Sequence, residues 1–211
     1  MLPADLQSPG SRSPITYSKV LIVEGRDAFE FFKALLRNLN LLAEIEIRNA
    51  GGVDQFSDYL RTLMAASGFS RVISLGIVRD AEEDADAAFQ SVCTALRQVG
   101  MSEPQRPMAV ADGKPRISVF ILPDCENRGM LETLCVQAVR DDPAYQCVEQ
   151  YFQCLQQQGV VLPYNMSKAR LHTFLSSRPE AGLLLGQAAH RNYLPGDNPA
   201  FDHIRQFLQE L

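Results

Sequence analysis

Four short apolar runs, with helix-periodic segments alternating between and after them, fix the fold class of this chain more tightly than any other feature. The runs are residues 19–25 (KVLIVEG), 44–52 (EIEIRNAGG), 71–78 (RVISLGIV) and 116–123 (RISVFILP). Three are nearly continuous in apolar residues, as expected of strands covered on both faces in a parallel sheet. In the second, Ile45 and Ile47 alternate with charged residues, which predicts an edge or half-covered strand. Helical spacing relates Phe29, Phe32, Leu35, Leu36 and Leu39, then Phe56, Tyr59, Leu60, Leu63 and Met64, then Phe89, Val92, Cys93 and Leu96. Each set therefore shares one helix face. Strand and helix in alternation predict right-handed crossovers and a mostly parallel, four-stranded, Rossmann-like α/β sheet flanked by helices.

Residues 103–115 contain three prolines and Asp112-Gly113, so an ordered excursion or hairpin is expected before the fourth strand. From residue 130 the pattern is helical throughout, over 130–139, 143–158, 167–176, 180–191 and 199–210. There is no internal repeat and no long linker. The expected organisation is a flexible Ser/Pro/Gly-rich leader over 1–15 and a single domain over 16–211, with its core at 17–140 and a helical C-terminal extension at 141–211. A hydrophobic content of 46% with 21% charged residues excludes disordered, collagen-like and disulfide-scaffold chains. Cys93, Cys125, Cys135, Cys147 and Cys154 are odd in number and lack a C-x-x-C pair, which argues against a zinc site and a disulfide framework. A reducing cytoplasm with no membrane association is the expected setting.

In open parallel sheets, ligands bind beyond the carboxyl ends of the strands. Those ends read Glu24-Gly25, Asn49-Ala50-Gly51-Gly52, Arg79-Asp80 and Pro123-Asp124. Three of the four carry a carboxylate directly after an apolar run. Such acids either cap helix N-termini or repel one another until a cation relieves them, and oxygen-only donors suit Mg²⁺ or Mn²⁺. Within residues 80–86 (DAEEDAD), Glu83 and Asp86 fit a solvated first helical turn, whereas Asp80 stands at the strand end and Glu82 can face the same site. Asp124 and Asn127 read either as ligand and orienter or as local turn chemistry. Gly51 and Gly52 read either as a phosphate-binding pair of N–H groups or as a plain turn. Cys125 fits a small buried residue better than a nucleophile. A formal net charge of −5 argues against gripping nucleic acid by Lys and Arg alone.

Three segments, residues 19–32 (KVLIVEGRDAFEFF), 76–84 (GIVRDAEED) and 123–134 (PDCENRGMLETL), resemble the metal-binding segments of a TOPRIM domain, the module shared by primases, topoisomerases, recombination mediators and OLD-family nucleases. A fourth, residues 168–173 (KARLHT), adds a resemblance to a stand-alone, mainly bacterial TOPRIM-like family of unknown function. The resemblance spans about 17–211. It implies that Glu24 is a metal ligand or general acid/base, that Asp80 is the leading metal carboxylate, that Glu132 completes the metal sphere, and that Lys168 assists phosphate chemistry. Glu82 and Asp124 would support the ion.

Two departures fall where a second metal would be held. Ala28 replaces a carboxylate in EGRDA, and Glu82 stands where the relatives have Asp. The expected function is Mg²⁺- or Mn²⁺-dependent phosphodiester chemistry on DNA or RNA, as a nuclease. The alternative is a non-catalytic TOPRIM-like module that binds nucleic acid or a partner protein, and the expected partners include a homo-oligomer. No G-x-x-x-x-G-K-[ST] motif is present, so ATP hydrolysis is not expected.

Overall fold

Every apolar run forms a strand. The computed structural model describes residues 13–51 and 56–211. Its strands are β1 (Lys19–Val23), β2 (Ile45–Asn49), β3 (Ser74–Asp80), β4 (Val110–Ala111) and β5 (Arg116–Leu122), in the order β2-β1-β3-β5-β4. All neighbours are parallel except β4, which pairs antiparallel with β5 through Val110–Ser118 and Ala111–Ile117. The expected four-stranded sheet thus has five strands. The proline-containing excursion does fold back as a hairpin, but a two-residue strand is too short to leave a periodic signal.

Eight α-helices occur among the described residues: α1 (Arg26–Asn38), α2 (Phe56–Met64), α3 (Ala85–Gln98), α4 (Leu131–Ala138), α5 (Pro143–Gln157), α6 (Met166–Ser176), α7 (Leu185–His190) and α8 (Asp202–Glu210). Their starts follow local chemistry. Asp84 accepts from the Ala87 N–H at 2.9 Å and caps α3, whose first residue, Ala85, comes five residues after the start of the acidic run. Asp142 accepts from the Ala144 N–H ahead of Pro143 at the first position of α5, and Asn165 accepts from the Lys168 N–H to begin α6. None of these helices is long and apolar enough to cross a membrane.

Strand alternation divides the core. Val20, Ile22, Leu75, Ile77, Ile117, Val119 and Ile121 pack with Leu60, Leu63, Phe89 and Leu96 of α2 and α3. Leu21, Val23, Val78, Phe120 and Leu122 pack on the other face with α1 and with Leu134, Phe174, Leu185, Ile204 and Phe207 from the C-terminal helices. The helices after residue 130 therefore share the core of α1. Both faces of the sheet are covered, as the continuous apolar runs require.

The edge strand β2 is covered more fully than its sequence predicts. Arg48 is 0% exposed, donates to Glu46 Oε1 at 2.7 Å, and donates to the carbonyls of Ser13 and Pro14 at 2.9 and 3.0 Å. Glu46 Oε2 in turn accepts from the N–H groups of Thr16 and Tyr17. Residues 13–15, expected within the flexible leader, are thus tied across β2, and Ile15 is buried. Residues 1–12 lie outside the described residues.

Candidate functional site

Parallel register brings the carboxyl ends of β1, β3 and β5 to one rim. Ile22 pairs with Ile77, and two residues further the same register sets Glu24 beside Arg79. Asp80, the last residue of β3, pairs with Leu122 of β5. Beyond Asp80 the chain turns at Glu82 (φ 52°), whose backbone exchanges two 2.8 Å hydrogen bonds with Gly129. This bridge draws the start of α4 against the end of β3. The Leu131 N–H then donates to Asp80 Oδ1 at 2.9 Å.

Asp80 is half-buried and carries the strongest electrostatic signature of the rim. Burial raises its carboxyl, the Leu131 N–H lowers it, and the negative charges of Glu132, Glu82 and Glu24 raise it again, to about 7. Three of the other expected metal residues, Glu132, Glu82 and Glu24, therefore act on Asp80 here. Asp124 does not join them. Burial raises its carboxyl, but hydrogen bonds from Asn127 and the Glu126 N–H, with the charge of His203, hold it below the usual carboxylate range. Its two oxygens close a local turn, the second of the two readings its sequence allows.

The cations take separate sides. Arg79 Nε lies 3.9 Å from Glu24 Oε2, and its Nη1 donates to Ser91 Oγ on α3 at 2.9 Å. Lys168 Nζ lies 4.0 Å from Glu132 Oε1. Lys168 reaches this position because Thr133 of α4 donates to Ser167 Oγ of α6 at 3.1 Å, joining the two helix starts. Gly25 (φ 84°) turns the chain from β1 into α1 with a backbone that only glycine adopts easily. Its N–H and that of Gly51 both donate to Asn49 Oδ1, at 2.9 and 2.8 Å. The Gly51 N–H, read from the sequence either as a phosphate donor or as part of a plain turn, is committed within the chain, and Gly52 lies outside the described residues. Burial pushes the Cys125 thiol up to about 11, which makes it a poor nucleophile.

Arg79, the Leu131 N–H and the Thr133–Ser167 link escaped sequence reasoning. Arg79 alone left a signal, a cation directly before Asp80 at a strand end. Beside the rim, a groove of about 520 Å³ runs past Glu82, Arg128, Met130, Thr133, Tyr164 and Ser167. A larger one of about 790 Å³ shares Thr133, Ser167 and Arg170 with it and continues along α4 and α5 past Arg140 and Glu149.

The donor set fits a hard cation held by few protein ligands. Among the described residues, no three His, Cys, Asp or Glu side chains stand close enough together to hold an ion as placed. Mg²⁺ commonly takes only one or two carboxylates and completes its sphere with water and substrate phosphate. Asp80 with Glu132 or Glu82 would be the pair to supply those ligands.

Residues 18–211 match the family described as "Protein of unknown function (DUF3226)". The chain belongs to the DUF3226 family. No curated protein matches it in sequence. Among solved structures, this DUF3226 member is similar to a hypothetical protein of Pyrococcus horikoshii OT3, with a TM-score of 0.64 and 18% identity over 92% of this chain and 95% of the other. It is also similar to the C-terminal region of the Burkholderia pseudomallei OLD protein (TM-score 0.53, 15% identity, 93% and 97% covered). The corresponding region of the Xanthomonas campestris pv. campestris OLD protein gives a TM-score of 0.53 at 14% identity, with 92% and 91% covered. At these identities the likeness extends to the α/β fold.

Proposed function

We propose that this chain is a TOPRIM-type, divalent-metal-dependent phosphodiester enzyme acting on nucleic acid, a nuclease. The observation that carries this reading is the place of Asp80 at the carboxyl rim of the sheet, where the Leu131 N–H at the start of α4 reaches it and the charges of Glu132, Glu82 and Glu24 act on it. The shared fold with OLD C-terminal regions supports it. Asp80, with Glu132 and Glu82, would hold Mg²⁺ or Mn²⁺. When bound, such an ion polarises a phosphoryl oxygen and makes water a stronger acid. Lys168 beside Glu132 presents an ammonium to phosphate oxygens, and Glu24 on the opposite side accepts or returns the proton of the attacking or leaving group. The net charge of −5 then no longer opposes phosphate binding, because the acids at the rim are cation ligands.

The test is incubation with plasmid, single-stranded DNA and structured RNA in Mg²⁺ or Mn²⁺. Cleavage that chelator abolishes and that Asp80→Ala loses is expected. Cleavage that survives in Asp80→Ala would remove the proposed site. A second reading, a non-catalytic module binding nucleic acid or a partner protein, draws on the lack of a closed three-donor group among the described residues. It predicts gel-shift binding with no cleavage in either metal.

A further inference from the structure

We propose that Arg79 supplies, from within the chain, the positive charge that a second divalent ion would bring, so that Glu24 serves Arg79 and the site takes a single ion at Asp80. The inference rests on the metal-dependent reading above and specifies its stoichiometry. The guanidinium is anchored by Nη1, which donates to Ser91 Oγ at 2.9 Å, and its Nε lies 3.9 Å from Glu24 Oε2 as an ion pair without a direct hydrogen bond. The pair is shielded, with the Arg79 side chain 17% and the Glu24 side chain 29% exposed. Screening by salt is correspondingly weaker than for a surface pair. Burial opposes the charge of this guanidinium, and the carboxylates of Glu24, Asp80 and Glu82 favour it, in the β1–β3 half of the rim.

A divalent ion beside Glu24 would sit against that fixed charge and be repelled. Ala28, the next but one residue after Arg26, packs into the core with Phe29 and Phe32 and offers no ligand. On the other side of Asp80, the Leu131 N–H, Glu132 and the more exposed Lys168 leave the half where an ion is unopposed by a buried cation.

The experiment is Mn²⁺ titration of the full chain at pH 8 by calorimetry and electron paramagnetic resonance. One ion per chain is expected for the wild type and for Arg79→Lys, and a second ion for Arg79→Gln. In the same titration Glu24→Gln should keep the affinity of the single ion within about threefold, whereas Asp80→Asn should weaken it by about tenfold or more. Two ions in the wild type, an unchanged count in a folded Arg79→Gln, or a Glu24→Gln loss as large as that of Asp80→Asn would each overturn the assignment of Arg79 while leaving metal dependence intact. If Arg79→Gln fails to fold, the comparison of Glu24→Gln with Asp80→Asn decides alone. No Mn²⁺ binding by the wild type would overturn both readings.

Discussion

The main-chain N–H of Leu131, at the start of α4, donates to Oδ1 of Asp80, at the end of β3, across 2.9 Å. This one hydrogen bond joins the sheet rim to the C-terminal helices, and it is too little to offset what surrounds the carboxylate. Burial and three glutamates push Asp80 up to about 7, from an ordinary value of 3.8. The folded state therefore favours the protonated acid. The stability this group contributes is full below pH 3.8 and is lost as pH rises through 7. Asp80→Asn keeps an oxygen for the Leu131 N–H and carries no charge. It should be more stable than the wild type at pH 8 by about 2–4 kcal/mol, a difference that shrinks towards nothing near pH 4. Urea unfolding of both proteins between pH 4 and 8 measures it, and a pH-independent difference would contradict the electrostatic cause.

The same imbalance predicts how divalent ions act on stability. A cation at Asp80 stabilises only the ionised carboxylate, so Mn²⁺ should raise the melting temperature more at pH 8 than at pH 5. At an ion concentration ten times the dissociation constant the gain is about 1.4 kcal/mol. Asp80→Asn should lose most of that shift. A thermal-melt series with Mn²⁺ at both pH values checks it, and equal shifts at the two would place the ion elsewhere.

Arg48 and Glu46 predict a large effect far from the rim. Arg48 has no exposed surface, and its guanidinium holds Glu46 and the carbonyls of Ser13 and Pro14. Removing Glu46 breaks a buried ion pair, so Glu46→Ala should cost about 3 kcal/mol. It should also loosen residues 13–17, because Glu46 Oε2 accepts from the Thr16 and Tyr17 N–H groups. Denaturant unfolding reads the first effect and limited proteolysis near Tyr17 the second. Replacing both partners with apolar residues of similar volume should recover much of the loss.

Burial on both faces wrote β1, β3 and β5 plainly into the sequence, since a strand with no solvent side shows as an unbroken apolar run. Asp80 was legible for the same reason: an acid that ends such a run stands at the rim. The turn of Asp124 was also local enough to foresee as one of two readings, because an Asp followed three residues later by Asn can close on itself. What escaped depends on contacts between distant segments. The bridge from Glu82 to Gly129 decides where α4 starts, yet it is made by backbone atoms and leaves no side-chain pattern. The partner of Arg79 follows only once the β1–β3 register is known. The burial of Arg48 depends on a segment of irregular chain crossing β2, which periodicity does not describe.

Helix α7 packs against α1 through Gly186, where a Cβ would come 2.2 Å from Cβ of Glu30. The obstacle is the first atom of a side chain, held by the helix backbone, so rotation about χ1 cannot relieve it. Gly186→Ala must therefore separate the two helices and with them the His190–Glu30 contact at 3.3 Å. A destabilisation of about 2–3 kcal/mol is expected, at the upper end of the overpacking range. The comparison that isolates the cause is Glu30→Ala, which keeps Cβ and removes everything beyond it. Gly186→Ala should cost the same in that background as in the wild type, as denaturant unfolding of the four proteins in the cycle would show. A rescue by Glu30→Ala would mean that the outer atoms of Glu30, and not the helix approach, set the requirement for glycine.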